Sequence, residues 1–295
     1  MGGHPRHPRQ RRARLGGAPD LPLALGQSWR CSVIRKFSSG LLRLWVVPVV
    51  LAVWELATRA MEHPFFPPPS EIVIHMGELW FSGSPAQLWF NETAMDNFPP
   101  SIGRLLAGWV ASGVVGVTIG LMLGRSPVFF RFVDPIIQFG RALPPPALLP
   151  MFVALFSTGA RMQIVTITFG IIWPVLFNAA DGARNVDPLH LETARVFRFT
   201  GVQRLFKIIL PSSAPKIFAG LRLSLSLALI LMVIAEFYST DGIGFELRSA
   251  QRSFDIPGVW GAIILLGILG YLLNQGFLMM ERKALTWHHS ARRIA

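Results

Sequence analysis

The sequence predicts an all-α integral membrane protein with six membrane-spanning helices. The chain has 295 residues, of which 52% are apolar and only 15% charged, and its mean hydropathy is +0.46. These values are too apolar for a soluble domain of this length. Several stretches approach the roughly 20 apolar residues that cross a bilayer core. Residues 105–124, for example, contain no ionisable side chain.

Apolar windows give the approximate positions of the six spans: 44–61, 103–124, 136–156, 163–180, 217–238 and 258–280. The connections on one side carry 21 Lys and Arg residues, against three on the other. Because cytoplasmic connections are enriched in these residues, both termini are predicted to be cytoplasmic. The net charge of +12 is therefore explained by the cytoplasmic connections and does not indicate a nucleic-acid partner. The expected surroundings of the spans are membrane lipids.

The spans divide the chain into four parts. These are a basic, disordered cytoplasmic tail at 1–43, the first span with an outer amphipathic segment at 44–102, a transmembrane core at 103–281 that contains a charged cytoplasmic loop at 181–216, and a second cytoplasmic tail at 282–295. The first tail has no apolar run with a cleavage site, so it is not a secretory signal. We interpret the basic residues of this tail as a signal that sets the orientation of the first span, in preference to an arm that binds the membrane surface.

A short helix is predicted in the outer segment. The run Pro-Pro-Pro-Ser-Glu at 67–71 favours a helix start with Ser70 as the N-cap. The helix at 72–80 is then amphipathic and lies at the outer membrane surface. The alternative is the core helix of a small soluble domain. Glu55, in the first span, is expected to have a structural role.

The second span has small residues at every fourth position: Gly108, Ser112, Gly116, Gly120 and Gly124. A face of small side chains lets a second helix approach closely, where dispersion replaces the missing hydrophobic drive. Tight helix packing is therefore expected on this face, although glycine is also common in membrane helices.

The third span contains prolines that an unbroken helix does not accommodate, namely Pro144, Pro145, Pro146 and Pro150. Backbone groups freed at membrane depth must face protein or a water-filled cavity. A broken helix beside the cation of Arg141 fits a translocation path, with Arg141, Pro144 and Pro150 lining it. An interfacial kink with Arg141 reaching the headgroups fits equally well.

Glu236, near the outer end of the fifth span, is a further path residue, because a carboxylate within the membrane is a functional candidate. It also lies close to the polar run Ser-Thr-Asp-Gly at 239–242, so a position at the interface remains open.

The chain shows no catalytic constellation. It has no Gly-rich phosphate loop followed by Lys-Ser/Thr, so it should not hydrolyse a nucleotide itself. Its seven His residues do not form a metal-ligand spacing, and its single Cys31 excludes an internal disulfide. We therefore expect a non-enzyme without cofactor or metal.

The loop at 181–216 carries six Lys and Arg residues between two apolar spans, far more than a turn requires. Its Glu192-Thr193-Ala194 and Ile208-Ile209-Leu210-Pro211 segments resemble the EAA loop of permease subunits of ATP-binding-cassette (ABC) importers. The pattern Arg141-x-x-Pro144-x-x-Ala147-x-x-Pro150 is similar to the nitrate, sulfonate and taurine branch. Further resemblances include Trp54-Glu55-Leu56, Ser101-x-x-Arg104 and Gly242-Ile243-Gly244. The resemblance covers about residues 44–285.

This resemblance implies the type I (MetI-like) permease fold in the bacterial inner membrane. It also implies a second permease copy, a cytoplasmic ATPase dimer and an extracytoplasmic binding protein that delivers a small anion. The implied ATPase-coupling residues are Glu192, Thr193, Ala194, Arg195, Arg198, Gly201 and Pro211. Pro211 would end the coupling segment before the fifth span. An ion-coupled secondary carrier is the alternative. It predicts internal repeats and several charged residues deep in the spans, whereas this chain has no convincing repeat and few deep charges.

The sequence departs from the family pattern at three positions: Thr193 replaces an alanine, Arg198 replaces a glycine, and Phe199 stands where a small residue is common. Arg198 occupies the place where the family usually has glycine, a residue that tolerates a left-handed bend at no steric cost. Either Arg198 adopts a less favourable conformation, or Gly201 takes over the bend.

Overall fold

The computed structural model describes residues 45–85 and 89–286. Over these residues it contains helices and connections but no strand. We number the helices α1 Val46–Met61, α2 Pro69–Trp80, α3 Glu92–Arg125, α4 Pro127–Ala142, α5 Leu149–Phe156, α6 Ala160–Arg184, α7 Pro188–Val196, α8 Gly201–Arg204, α9 Leu210–Glu236, α10 Ile243–Arg252 and α11 Ile256–Ala284. A 3-10 turn, Pro145–Leu148, precedes α5, and a π-helical turn, Leu205–Ile209, joins α8 to α9. The predicted tail at 1–43 and residues 287–295 lie outside the described residues.

Four of the described helices are long and apolar enough to cross a membrane: α3, α6, α11 and the continuous helix Gly201–Glu236. A fifth candidate is the bent pair Pro127–Ala142 and Pro145–Phe156, whose two arms meet at 85°. Helix α1 has only 16 residues, fewer than the roughly 20 that a span requires. The prediction of an all-helical, multi-pass membrane protein is confirmed. Among the described helices, up to five meet the length and composition of a span, so the count of six stays a prediction.

The bent pair confirms the broken helix expected in the third span. Helix α4 ends at Ala142, and Leu143 and Pro144 are extended before the 3-10 turn begins. Because proline lacks a backbone donor and clashes with the preceding turn, this sequence cannot continue α4. The Arg141 guanidinium lies 4.6 Å from the centre of the Phe177 ring on α6.

Helices α3 and α6 pack closely along the face of small residues, as the four-residue spacing predicts. A Cβ atom added to Gly108 would lie 2.8 Å from the side chain of Ile167. One added to Gly120 would lie 2.5 Å from the Leu176 carbonyl oxygen. One added to Gly124 would lie 2.4 Å from the Ala180 carbonyl oxygen. The backbones therefore touch at distances that only glycine permits.

Replacing Gly120 with alanine is expected to destabilise the protein by about 1–3 kcal/mol, because the added methyl group overlaps backbone that cannot easily move. Gly103, on the same helix, has no atom within 4 Å of an added Cβ. Gly103→Ala should therefore stabilise α3 slightly, by up to about 1 kcal/mol, through helix propensity alone. Thermal unfolding of the two purified variants tests the opposite signs. Equal shifts would contradict close packing at Gly120.

Helix α2 forms where the sequence predicts it, but its first turn is not capped as predicted. Pro68 is the N-cap and provides no side-chain cap, so the assignment of Ser70 as the cap is wrong. Glu55 instead accepts hydrogen bonds from the Ser70 backbone N–H at 3.0 Å and from its hydroxyl at 2.7 Å. The structural role expected for Glu55 is confirmed. The distance of 15 residues along the chain explains why local sequence rules miss this contact.

The apolar face of α2 packs on protein. Ile72, Met76 and Trp80 are buried, and Met76 and Trp80 lie beside Gly261 at the start of α11. Val73 and Ile74 are exposed on the opposite face. The helix is thus held against the start of α11 while it presents a second apolar face outward.

Candidate functional site

The predicted coupling segment contains a short, well-defined helix. Asp187 caps α7 by accepting a hydrogen bond from the Leu189 N–H at 2.8 Å, and Pro188 occupies its first turn. These are strong start signals, since the side-chain oxygen satisfies a free helix N–H and proline loses nothing there. Glu192 and Thr193 are exposed, whereas Ala194 is buried. The Glu-Thr-Ala triplet therefore presents its first two side chains outward and its third inward.

Large apolar side chains are exposed beside Glu192. Leu189 is 65% exposed, Val196 79% and Phe197 69%. Together with Glu192 and Thr193 we call these residues the coupling surface. Contiguous exposed apolar groups rimmed by polar residues are typical of a protein interaction site. Among the described residues, Glu192 forms no ion pair, so its carboxylate is free to meet a partner.

The inner face of α7 ties the coupling surface to the transmembrane core. Ala194 is only 2% exposed. Leu191 packs against a buried cluster to which α3 contributes Leu121, α6 contributes Ala183 and the π turn contributes Ile209. Because close-packed interiors transmit displacement rather than absorb it, a force on α7 acts directly on these elements.

Arg198 itself makes the bend after α7. Its φ is +52°, in the left-handed region that side chains with a Cβ atom rarely adopt. The Arg198 N–H donates to the Arg195 carbonyl at 3.0 Å and the Phe199 N–H to the Ala194 carbonyl at 2.9 Å. This pair of bonds is the Schellman helix ending, in which the left-handed position is usually glycine. Gly201 begins α8 without a positive φ, so the expectation that it takes over the bend is wrong.

Replacing Arg198 with glycine should stabilise the protein by about 1 kcal/mol, because glycine adopts the left-handed conformation without steric cost. Glycine at Arg195, inside α7, should instead cost up to about 1 kcal/mol. The midpoints of thermal unfolding of the two variants give the comparison. A loss of stability in both would mean that the Arg198 side chain contributes more than its backbone strain costs.

Pro211 does not end the coupling segment. It lies in the first turn of α9, and the chain is helical without interruption from Gly201 to Glu236. The π turn before Pro211 allows the helix to continue through the proline. Its wider backbone interrupts the regular helical hydrogen bonding at the point where proline has no N–H to donate. The Leu210 N–H accordingly donates to the Leu205 carbonyl, five residues back.

A second polar site lies at the other end of α9, around Glu236. The Glu236 side chain is fully buried. Ser101 donates a hydrogen bond to its Oε1 at 2.6 Å and the Gly244 N–H donates to its Oε2 at 2.8 Å. The Arg104 Nη2 lies 3.2 Å from Oε1, close enough for an ion pair although it is not aligned as a hydrogen bond. The carboxylate is thus fully engaged within the chain.

The same site holds the loop that follows α9. Arg104 donates to both carboxylate oxygens of Asp241, at 3.0 and 3.1 Å. Asn97 accepts from the Gly242 N–H at 2.6 Å and donates to Glu246 at 2.9 Å. We call the set Asn97, Ser101, Arg104, Glu236, Asp241 and Glu246 the outer cluster. It joins α3, α9 and α10 through side chains separated by about 140 residues along the chain.

Gly242 is required in the outer cluster by its conformation and by space. Its φ is +109°, and an added Cβ atom would lie 2.4 Å from the Glu236 carboxylate carbon. The turn therefore folds directly over the carboxylate, and only glycine allows this approach.

Asp241 and Glu246, the two carboxyl groups of the outer cluster that follow α9 in the chain, have pKa values shifted in opposite directions. Burial tends to raise the pKa of Asp241, but hydrogen bonds from Ser239 and Arg104 and the charge of Arg104 outweigh it and lower the pKa. Burial raises the pKa of Glu246, and the hydrogen bond from Asn97 only partly opposes it. Asp241 therefore stays ionised as Arg104's partner to a lower pH than usual.

The sequence-predicted residues fall into three separate places. The predicted coupling residues lie on 192–211. Of the predicted path residues, Arg141, Pro144 and Pro150 lie at the bend of the third span, and Glu236 lies in the outer cluster. Sequence reasoning singled out Ser101, Arg104 and Gly242 only as family motifs, and it missed Asp241 and Glu246. The signal available was the density of polar residues on both sides of a span end.

The fold is that of a multi-pass helical membrane protein, and the sequence carries no phosphate loop followed by Lys-Ser/Thr. The chain belongs to the family of binding-protein-dependent transport system inner membrane components, whose model matches residues 116–284. It is therefore a permease subunit of an ABC importer, and ATP is hydrolysed in a partner subunit.

Two transport permeases are similar in sequence to most of this chain. SsuC of Bacillus subtilis (strain 168), assigned to aliphatic sulfonates transport, is 30% identical over 92% of this chain and 97% of its own length. TauC of Escherichia coli (strain K12), a taurine transport system permease, is 29% identical over 88% of this chain and 93% of its own. A chain of the MetNI methionine ABC transporter matches in fold, with a TM-score of 0.59 at 16% identity over 68% of this chain and 99% of that chain.

Proposed function

We propose that this permease transports a small organic or inorganic anion, such as a sulfonate, that an extracytoplasmic binding protein delivers. The names of SsuC and TauC support this substrate class, since aliphatic sulfonates and taurine share the sulfonate group. The branch of permeases that this sequence resembles also includes nitrate importers, so nitrate is the inorganic anion to test. Selectivity is expected to reside largely in the binding protein.

The proposed topology has six membrane-spanning helices with both termini in the cytoplasm. Five candidate spans come from the described helices, and α1 is proposed as the sixth. The excess of Lys and Arg on the side of the coupling surface supports the orientation. This places α7 in the cytoplasm and the outer cluster at the opposite side of the membrane.

We propose that two copies of this chain form the pathway and that each docks on one subunit of an ATPase dimer. The observation that carries the coupling role is that one short helix exposes Glu192 and Val196 and buries Ala194, with Phe197 exposed directly after it. Closure of the ATPase dimer on ATP would draw the two α7 helices together. The permease would then switch between inward-open and outward-open arrangements as rigid bodies.

The continuous helix Gly201–Glu236 provides the mechanical connection between the two sites. It has 36 residues and so extends about 54 Å at 1.5 Å per residue. One end lies beside the coupling surface, and the other carries Glu236 into the outer cluster. A displacement of α7 would thus be carried along one helix to the loop at 237–242.

Arg141, Pro144 and Pro150 remain proposed path residues, because the bend frees backbone groups that need protein or water around them. Glu236 also remains a proposal. Since both of its oxygens are bonded within the chain, we propose that it acts on the path by holding the outer loop rather than by contacting the solute.

Reconstitution tests the proposed function. The permease, its ATPase and its binding protein are incorporated into proteoliposomes, and uptake of labelled taurine, an alkanesulfonate and nitrate is measured. Uptake of at least one anion should require ATP and the binding protein and should survive dissipation of ion gradients. Uptake that follows an ion gradient without ATP would contradict the proposal. Uptake of an uncharged or cationic solute instead would contradict the substrate class.

A further inference from the structure

We propose that a groove between the end of α3 and the start of the Gly201–Glu236 helix binds one anionic phospholipid. The groove has a volume of about 580 Å³. Its walls are mostly apolar, with Val117, Leu121 and Met122 on one side and Phe206 and Ile209 on the other. Met122 and Phe206 are exposed, so the groove opens to the surroundings of the helices.

Two arginines form the polar end of this groove. Arg125 and Arg204 both line it, and among the described residues neither forms an ion pair. The Nε of Arg204 is buried without a hydrogen-bond partner in the described structure. Arg125 makes a long contact of 3.4 Å to the Ala183 carbonyl oxygen. Two partly buried cations without a counter-ion are costly, so this end of the groove favours an anion.

The charge around the arginines strengthens the preference for an anion. Arg195 and Arg204 both act repulsively on Arg125. The positive potentials of the three residues therefore add at the end of α3. An ionised phosphate would offset this repulsion and would accept a hydrogen bond from the free Arg204 Nε.

A phospholipid matches both halves of the groove, whereas a free anion matches only one. Arg125 ends α3 and Arg204 lies in the first turn of the Gly201–Glu236 helix, so both arginines stand at one end of a candidate span. The apolar walls continue from them along these two helices. A phosphate joined to an acyl chain fills these two regions at once. Basic pockets between membrane helices on the cytoplasmic side are a known kind of anionic lipid site. The proposed orientation decides only which leaflet supplies the lipid.

Native mass spectrometry of the full-length permease, exchanged into micelles that contain equal phosphatidylglycerol and phosphatidylcholine, tests the site. Wild-type protein should retain phosphatidylglycerol about tenfold or more over phosphatidylcholine, given the contribution of each arginine near a membrane surface. Arg125→Gln/Arg204→Gln should bring the ratio close to one. Arg125→Lys/Arg204→Lys should keep most of it. Arg252→Gln, an exposed arginine outside the groove, is the matched control and should change nothing.

A substitution that fills the apolar part of the groove tests the lipid site independently of the arginines. Met122→Trp keeps both arginines and should reduce phosphatidylglycerol retention severalfold. Thermal unfolding of each variant confirms that it is folded before its lipids are compared.

Three results would overturn the lipid site. The first is an equal ratio in the wild type or a ratio unchanged by Arg125→Gln/Arg204→Gln. The second is complete displacement of phosphatidylglycerol by millimolar inorganic phosphate, which would indicate a free-anion site. The third is loss of ATPase co-purification in the double variant with unaltered lipid selectivity, which would assign the groove to the protein partner. Failure of anion uptake by wild-type protein with intact lipid selectivity would count against the proposed substrate and leave the lipid site supported.

Discussion

Replacing Arg104 with methionine is expected to destabilise the protein by about 3–5 kcal/mol, the range observed when one partner of a buried ion pair is removed. Arg104 is 7% exposed and Glu236 is fully buried. Without Arg104, the Glu236 carboxylate keeps its neutral donors Ser101 and Gly244 but loses its nearest counter-charge. Asp241 loses both of its hydrogen bonds to the guanidinium as well. The outer loop should therefore lose its charged link to α3 and be held there only by neutral hydrogen bonds, such as that from the Gly242 N–H to Asn97.

Thermal unfolding of the purified permease measures this effect. Arg252→Met is the control, because Arg252 is exposed at the end of α10 and its loss should change stability by less than about 0.5 kcal/mol. The double variant Arg104→Met/Glu236→Gln should recover more than half of the loss, since it also removes the uncompensated charge. An Arg104→Met variant as stable as the control would contradict the assignment of a buried ion pair. A double variant less stable than Arg104→Met would do the same.

Glu192→Lys is expected to abolish uptake while membrane insertion and stability remain unchanged. Glu192 is exposed on α7 and forms no ion pair among the described residues, so reversing its charge costs the permease little internally. At an interface, like charges placed together cost several kcal/mol and exclude a partner. The ATPase should therefore fail to co-purify with the variant.

Glu71→Lys is the matched control for this substitution. Glu71 is an exposed carboxylate in the first turn of α2, at the other end of the molecule, and its reversal should leave uptake and ATPase recovery near wild type. Normal ATPase recovery and normal uptake by Glu192→Lys would remove Glu192 from the coupling surface. Loss of uptake by both variants would indicate a general effect of added positive charge.

The features that follow from periodicity and composition were predictable from the sequence. Hydropathy located the four long spans and the bent third span, because a membrane helix must be apolar along its whole length. The four-residue repeat from Gly108 to Gly124 identified the contact face with α6, since residues four apart lie on one side of a helix. The prolines after Arg141 indicated the break in the third span because proline cannot continue a helix.

The features that depend on contacts between distant segments were not predictable in the same way. Local rules assigned Ser70 as a helix cap, whereas Glu55 from the preceding helix satisfies its N–H. Asp241 and Glu246 gave no signal on their own, because their partners Arg104 and Asn97 lie more than 130 residues earlier. The choice between Arg198 and Gly201 at the bend was decided by the hydrogen bonds that end α7.

At Pro211 the Ile-Ile-Leu-Pro motif was identified, but the helix break predicted from its proline is wrong. Proline favours the start of a helix as strongly as it opposes the interior, and sequence alone does not separate the two cases. The π turn at Leu205–Ile209 allows α8 and α9 to continue as one helix through this position. This continuity is what connects the coupling surface to the outer cluster.

Photo-cross-linking in the assembled transporter tests whether the ATPase attaches at α7. A single cysteine is introduced at Thr193, with Cys31 replaced by serine, and is labelled with a benzophenone maleimide. The same label at Glu71→Cys provides the comparison. We expect an adduct with the ATPase from position 193 and none from position 71. Adduct formation from position 71, or its absence from position 193 in an assembly that still hydrolyses ATP and takes up solute, would contradict attachment at α7.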